Sequence, residues 1–227
     1  LQGSRFGVPV DAIRGDYVVG ELEDAIQKAY ETERPKVIVV EGQGALSHPA
    51  YVTGSRTIVN ASQPNAVVLQ HAPARKWRTY HETELHLPNG TIEREMELIN
   101  AFANAPVIGI TINHTGMTKE EVAAKVKEYE AAHGIPACDV LWDGPDKIVD
   151  AIIDRFFRPL VGGIQLDQVQ AVAGEAALLG IFDDHHGGAD GAADEGDYPA
   201  GGLTRGIRMV AQQVVLTGVQ GDGMGDG

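Results

Sequence analysis

The chain has 227 residues, 43% of them hydrophobic, and a formal net charge of −14. The hydrophobic content is enough for one sizeable core, and the negative charge argues against nucleic acid and anionic membrane surfaces as partners. A single cysteine excludes an internal disulfide, and neither a signal peptide nor an apolar run long enough to span a membrane is seen, so a cytoplasmic location is expected.

Helices and strands alternate along the first 158 residues. Apolar residues at helical spacing predict a helix at Val18–Glu33, and four apolar β-branched residues predict a buried strand at Val37–Val40. Thr118 and Glu121 have the spacing of a capping box. The remaining predictions are helices at 55–61, 91–104, 118–133 and 146–157, strands at 66–70, 106–112 and 137–142, and a long polar loop at 72–90.

This alternation predicts an α/β fold, with a parallel sheet flanked by helices on both faces. The strands at 37–40, 66–70 and 106–112 are expected to be adjacent in that sheet. Residues 1–158 are interpreted as one domain. Residues 159–227, with ten acidic residues against two arginines, are interpreted as an acidic extension rich in Gly, Asp and Ala. Its segment 183–202 is expected to lack regular structure, whereas 161–181 and 206–217 are apolar enough to add elements.

The densest polar chemistry follows the strand at 37–40. In parallel sheets ligands bind outside the carboxyl ends of the strands, and glycines let the backbone come close to a ligand. The alternative is a tight turn from strand to helix with a solvated glutamate. The candidate binding residues in this stretch are Glu41, Gly42, Gln43, Gly44, Ser47, His48 and Tyr51.

Two further strand ends carry polar side chains, His71 after 66–70 and Asn113 after 106–112. Either His48 or His71 could act as a general base or serve a structural role. The amide of Asn113 could contact a nucleobase or a substrate amide, or form an Asx turn. The residues expected to converge on one cleft are Glu41, Gln43, His48, His71 and Asn113.

Isolated charged residues add further candidates. Arg75, in the long loop, could bind a carboxylate or phosphate or remain solvated. Asp16 could contact a ligand or cap the first helix. Glu41 could organise a Mg²⁺-bound water, since that ion prefers oxygen ligands. Cys138 is interpreted as a core residue.

Four strings of the sequence resemble the C-terminal domain of the DgcN family. They are Gly-Val-Pro-Val-Asp-Ala-Ile-Arg-Gly-Asp at 7–16, Glu-Gly-Gln-Gly-Ala-Leu-Ser-His-Pro-Ala-Tyr at 41–51, Ser-Gln-Pro-Asn-Ala-Val-Val-Leu at 62–69 and Gly-Ile-Thr-Ile-Asn-His-Thr-Gly at 109–116. Members of that family have an N-terminal Rossmann-like domain and a C-terminal P-loop-type domain.

The resemblance implies N-acetylation of D-glutamate or a related D-amino acid by acetyl-CoA. The substrate amine would lie near a base, with His48 the first choice and Glu41 the second, while cationic groups hold the phosphates. A small-molecule substrate is the expected partner, and a homo-oligomer is a possible assembly.

More distantly, Glu41-Gly-Gln-Gly and Asn113 look like the dethiobiotin synthetase group, in which the acid helps bind Mg²⁺ and the asparagine contacts adenine. The alternatives are therefore an ATP- and Mg-dependent ligase and a non-catalytic nucleotide-binding or assembly module. No Gly-x-x-x-x-Gly-Lys-Ser/Thr motif occurs in the sequence. We expect the phosphate loop upstream of Leu1 or, alternatively, a degenerate family member, and in either case weak nucleotide binding by these 227 residues alone.

Overall fold

The computed structural model describes residues 6–35, 37–42, 44–49, 54–80, 83–156, 177–181 and 213–218. Five helices and nine strands lie in these ranges. The helices are α1 (Gly15–Glu33), α2 (Ser55–Ser62), α3 (Ile92–Ala103), α4 (Lys119–His133) and α5 (Asp146–Phe156). The strands are β1 (Phe6–Val8), β2 (Val37–Glu41), β3 (Ala66–His71), β4 (Trp77–Tyr80), β5 (Thr83–Pro88), β6 (Val107–Ile112), β7 (Ala137–Cys138), β8 (Ala177–Ile181) and β9 (Gln213–Gly218).

Seven strands form one sheet in the order β1-β8-β2-β9-β3-β6-β7. All its pairings are parallel except those of β9, which runs antiparallel to both β2 and β3. The prediction that 66–70 and 106–112 are adjacent and parallel is confirmed. The prediction that 37–40 lies next to 66–70 is wrong, because β9 lies between them and bonds to both.

The sheet has helices on both faces, as predicted, because its strands alternate apolar side chains between two cores. Ile38 and Val40 of β2 belong to the larger core, which also contains buried residues of α1, α2, α3 and α4. Val37 belongs to the smaller core, where α5, with its buried Ile148, packs against β6 and β7. Each of these fully buried side chains contributes about 1.5–3 kcal/mol of burial free energy.

The predicted helix ends are largely confirmed. Thr118 and Glu121 form the reciprocal capping box of α4, and Gly134 ends that helix with φ +67° and a bond from its N–H to the Glu130 carbonyl. Asp16 does not cap α1, since Arg14 occupies the N-cap position and Asp16 lies in the first turn.

Two predicted elements need correction. The segment 72–90 is not a plain loop, because it contains the antiparallel hairpin β4–β5. The strand predicted at 137–142 ends at Cys138, where the chain turns and the Asp143 N–H donates to the Asp139 carbonyl over 2.8 Å. Cys138 is buried, as predicted, and burial raises the pKa of its thiol to about 11.

The C-terminal segments predicted to add elements contain β8 and most of β9, and both strands join the main sheet. The segment 183–202 lies outside the described residues, so its lack of regular structure stays a prediction. Among the described residues, no helix combines the length and the apolar character needed to cross a bilayer.

Candidate functional site

The carboxyl ends of β3, β6 and β7 lie side by side at one edge of the sheet. In register, His71 of β3 faces Ile112 of β6, and Thr111 of β6 faces Cys138 of β7. The residues that follow these strands therefore share one edge, where open α/β sheets bind ligands. We call this edge, formed by residues 71–75, 113–119 and 139–142, the strand-end site.

His71 and Asn113 meet at this site, as predicted. The Asn113 N–H donates to the His71 carbonyl over 2.8 Å. The Asn113 side-chain oxygen accepts from the Thr115 N–H over 3.0 Å, so this residue forms the Asx turn that was one of its two interpretations. Its amide nitrogen remains the group that could contact a ligand.

The imidazole of His71 is held on both sides. Its Nδ1 lies 2.7 Å from the Tyr129 hydroxyl of α4, and hydrogen bonding with the Gly90 backbone acts to raise its pKa. Burial lowers the pKa of His71, and the nearby cations Lys125 and Arg75 act in the same direction. Burial likewise raises the pKa of Tyr129. Held by Tyr129 and by the Gly90 backbone, His71 is a well-anchored neutral histidine.

Because the pKa of His71 is lowered from 6.5, the unfolded state binds more protons than the folded state on acidification. The contribution of His71 to the free energy of unfolding is fully present above its pKa in the unfolded state. It is lost as the pH falls toward its pKa in the folded state. We expect the free energy of unfolding to fall below about pH 6.5, and to fall less steeply in His71→Gln.

Urea unfolding across this pH range measures the slope for each variant. His86→Gln is the matched control, since the His86 side chain is exposed on the β4–β5 hairpin. An unchanged slope in His71→Gln would contradict the assignment of a buried neutral ring.

A second cluster, which we call the Ser47 cluster, joins the loop after β2 to the hairpin and α3. The Ser47 hydroxyl donates to the Glu95 carboxylate, and Arg78 Nη2 donates to the same hydroxyl over 2.6 Å. Arg78 Nε donates to the Pro88 carbonyl over 3.0 Å. Arg78 Nη1 is buried without a partner among the described residues.

The side chains of the Ser47 cluster pack closely against Gly90. A Cβ at that position would lie 2.9 Å from both Glu95 Oε1 and Ser47 Oγ and 3.0 Å from Arg78 Nη2. A small cavity of about 20 Å³ lies beside Gly90, Glu95 and His71. That volume suits about one water molecule, so an amino-acid substrate needs the open edge rather than this cavity.

A third cluster lies after β6 and β7 and was not predicted. His114 Nδ1 bonds to the Asp139 carboxylate, and the His114 ring stacks on Trp142 with centroids 3.8 Å apart and planes 9° apart. Asp139 is fully buried, whereas Trp142 is partly exposed. Lys119 Nζ lies 5.8 Å from the Trp142 ring centroid. We call these residues the His114 cluster.

The other predicted site residues are spread more widely. Glu41 ends β2 and pairs in register with Val214 of β9, so one strand separates it from β3, a span of about 10 Å. Asp16 is exposed at the start of α1, which follows the far strand β1. The loop after β2 nevertheless returns toward β3, because Ala45 lines the cavity beside His71.

Within that loop, His48 is buried, with 7% of its surface exposed, and its N–H donates to the Ala45 carbonyl. The Gly44 carbonyl accepts from the Ser55 hydroxyl, and Gly42 is buried. Gln43 and Tyr51 lie outside the described residues. The binding and catalytic roles of all these residues stay predictions.

Metal-ligating side chains are not clustered in the described residues. No group of three or more His, Cys, Asp or Glu side chains suited to a metal ion lies among them. A Mg²⁺ ion can be held by one carboxylate together with substrate phosphates, so Glu41 alone fits only a site completed by a nucleotide.

The mainly parallel sheet, with helices on both faces and the strand-end site at its carboxyl edge, defines an open α/β domain. A family model described as the P-loop domain of DUF1611, a domain of unknown function (DUF1611_C), matches residues 1–149. The chain belongs to this family. A crystal structure of a DUF1611 family protein from Anabaena variabilis has a similar fold, with a TM-score of 0.55 and 24% identity, over 65% of this chain and 43% of that one.

Two curated relatives carry the name D-glutamate N-acetyltransferase. One, from a Pseudoalteromonas species, is 34% identical over 148 residues, which cover 63% of this chain and 43% of the relative. The other, from Tritonibacter scottomollicae, is 30% identical over 149 residues, covering 64% and 44% respectively. The chain therefore spans less than half the length of these relatives.

Proposed function

We propose that this chain is part of an N-acetyltransferase that moves the acetyl group of acetyl-CoA to the amine of D-glutamate or a related D-amino acid. The observation that carries the proposal is the similarity to two proteins of that name over about 150 residues. The family match covers the elements that build the strand-end site, β3, β6, β7 and the turns after them.

The charges at the strand-end site suit an acidic substrate. The chain as a whole carries a net charge of −14, yet Arg75 and Lys119 both lie at this edge. Arg75 is close enough to His71 to lower its pKa, and Lys119 begins α4 beside Trp142. Two cations at one edge of a protein with a net negative charge favour binding of the two carboxylates of glutamate or the phosphates of coenzyme A there.

Trp142 adds a partly exposed aromatic side chain to the site. Trp142 is 38% exposed, although its ring stacks on His114. A partly exposed indole beside a lysine could hold the adenine of the acetyl donor by stacking. Arg75, Lys119 and Trp142 are thus the described residues that fit acetyl-CoA, which supplies an activated thioester as the acetyl donor.

The proposal is tested with the protein encoded by the complete reading frame. It is incubated with acetyl-CoA and either D-glutamate or L-glutamate, and release of the coenzyme A thiol is followed with the mass of the amino-acid product. We expect acetylation of D-glutamate in step with thiol release, and much less with L-glutamate.

Two results would contradict the proposal. If the protein acetylates no D-amino acid, the assignment as an N-acetyltransferase is contradicted. Product formation that requires ATP and Mg²⁺ and consumes ATP in step with product would instead favour the ligase alternative.

A further inference from the structure

We propose that His114 is the catalytic residue that accepts the proton of the substrate amine, and that Asp139 and Trp142 are positioning residues for its ring. This inference rests on the proposed function, because it assigns a general base to the acetyl transfer. It differs from the prediction from sequence, which made His48 the first choice and Glu41 the second.

Asp139 fixes which ring nitrogen of His114 carries the proton. Its Oδ1 accepts from the N–H groups of Leu141 at 2.9 Å and Trp142 at 3.2 Å, and its Oδ2 bonds to His114 Nδ1. A carboxylate so oriented and fully buried accepts a hydrogen bond from the Nδ1–H group. The neutral ring then carries its hydrogen on Nδ1 and a free lone pair on Nε2.

Trp142 fixes the plane of the same ring. The near-parallel stack at 3.8 Å prevents the imidazole from turning out of the plane set by the Asp139 bond. The His114 side chain is 25% exposed, and no residue in the part of the chain that the structure describes bonds to its Nε2. The basic nitrogen is therefore oriented and reachable at the strand-end site.

The other two histidines of this region are less suited to the role. The Nδ1 of His71 is engaged by Tyr129, and burial lowers the pKa of the ring. His48 is only 7% exposed. A general base must reach the proton that it takes, either directly or through one water, and His114 meets this requirement best.

One C–N bond forms and one C–S bond breaks in the proposed transfer. His114 Nε2 takes one proton from the substrate ammonium group and becomes an imidazolium, which the Asp139 carboxylate stabilises. The freed amine forms a C–N bond with the acetyl carbonyl carbon, and the C–S bond of the thioester breaks. The second amine proton goes to the departing thiolate, and His114 releases its proton to solvent, so one proton is released per acetyl group transferred.

The kinetic test uses the protein of the complete reading frame with saturating acetyl-CoA and D-glutamate. We expect His114→Gln to lower kcat by about 10²–10⁴-fold with KM changed little, because general-base catalysis acts in the transition state. Asp139→Asn is expected to lower kcat at least about tenfold, since an amide favours the wrong tautomer. His86→Gln, on the hairpin, is the matched histidine control.

A second measurement avoids activity altogether. Two-dimensional ¹H–¹⁵N NMR of the ring nitrogens in the 227-residue chain reports the tautomer of each histidine. We expect neutral His114 to carry its hydrogen on Nδ1, and we expect this signal to shift toward the other tautomer in Asp139→Asn. If Asp139→Asn fails to fold, the wild-type spectrum alone still decides the tautomer.

Failure of this inference can be separated from failure of the proposed function. If the wild-type protein acetylates D-glutamate and His114→Gln keeps its kcat, the inference is overturned while the proposed function stands. A neutral His114 ring protonated on Nε2 would overturn it as well. Loss of kcat in His48→Gln but not in His114→Gln would instead identify His48, in the loop after β2, as the general base.

Discussion

Ile110→Ala is expected to lower the free energy of unfolding by about 3–4 kcal/mol, within the usual range for truncating a buried isoleucine. Ile110 has no exposed surface and lies at the centre of β6, where it faces Leu69 on one side and Ala137 on the other. Neighbours on two strands hold the backbone in place, so the cavity left by the missing side chain cannot collapse easily.

Urea unfolding of the two proteins measures this difference. Leu87→Ala is the matched control, because Leu87 is 44% exposed on the β4–β5 hairpin and its truncation should cost less than about 1 kcal/mol. Equal losses for the two variants would show that β6 does not lie at the centre of the core.

Glu95→Ala is expected to destabilise the protein by about 3 kcal/mol, because it leaves the buried Arg78 charge without its carboxylate. Glu95 and Arg78 are 5% and 8% exposed and meet through the Ser47 hydroxyl. Arg78 Nη1 already lacks a partner among the described residues, so the guanidinium has little other compensation. Removing one member of such a group costs more than replacing both.

The double variant Arg78→Met/Glu95→Leu tests this reasoning. It should be more stable than Glu95→Ala, since no charge is then left buried. Glu97→Ala is the control on the same helix, because Glu97 is exposed and its pair with Arg94 should contribute less than about 0.5 kcal/mol. Equal losses for Glu95→Ala and Glu97→Ala would contradict the account of a buried cluster.

Local patterns were sufficient to predict most of the helices and the parallel pair β3–β6. Periods of 3.6 and 2 residues reflect which face of an element is buried, and the capping box at Thr118 and Glu121 is a local hydrogen-bonding device. The insertion of β9 between β2 and β3 could not be predicted in this way. Its pairing joins residues 213–218 to partners about 145–180 residues earlier, and strand order carries no local signature.

The hairpin β4–β5 was missed for a different reason. Its polar side chains suggested a loop, although Leu85 and Leu87 alternate with polar neighbours as strand residues do. That alternation was the available signal. The error mattered for the site, because the hairpin is what brings Arg78 to Ser47.

The candidate site was predicted only in part. Residues immediately after parallel strands share one edge, which explains why His71 and Asn113 meet. The His114 cluster was missed because the last strand was predicted to continue to Trp142, which would have placed Asp139 inside a strand. The chain turns at Asp139 instead, and only that turn brings its carboxylate to His114, 25 residues earlier.

The central claim is that the strand-end site of β3, β6 and β7 binds the substrates. Hydrogen–deuterium exchange of the protein from the complete reading frame, with and without N-acetyl-D-glutamate and coenzyme A together, tests this claim most directly. We expect the products to slow exchange in residues 71–75, 113–119 and 139–142. Binding accompanied by protection only around the groove of about 360 Å³ between α4 and α5, lined by Lys127, Glu130 and Lys147, would contradict it.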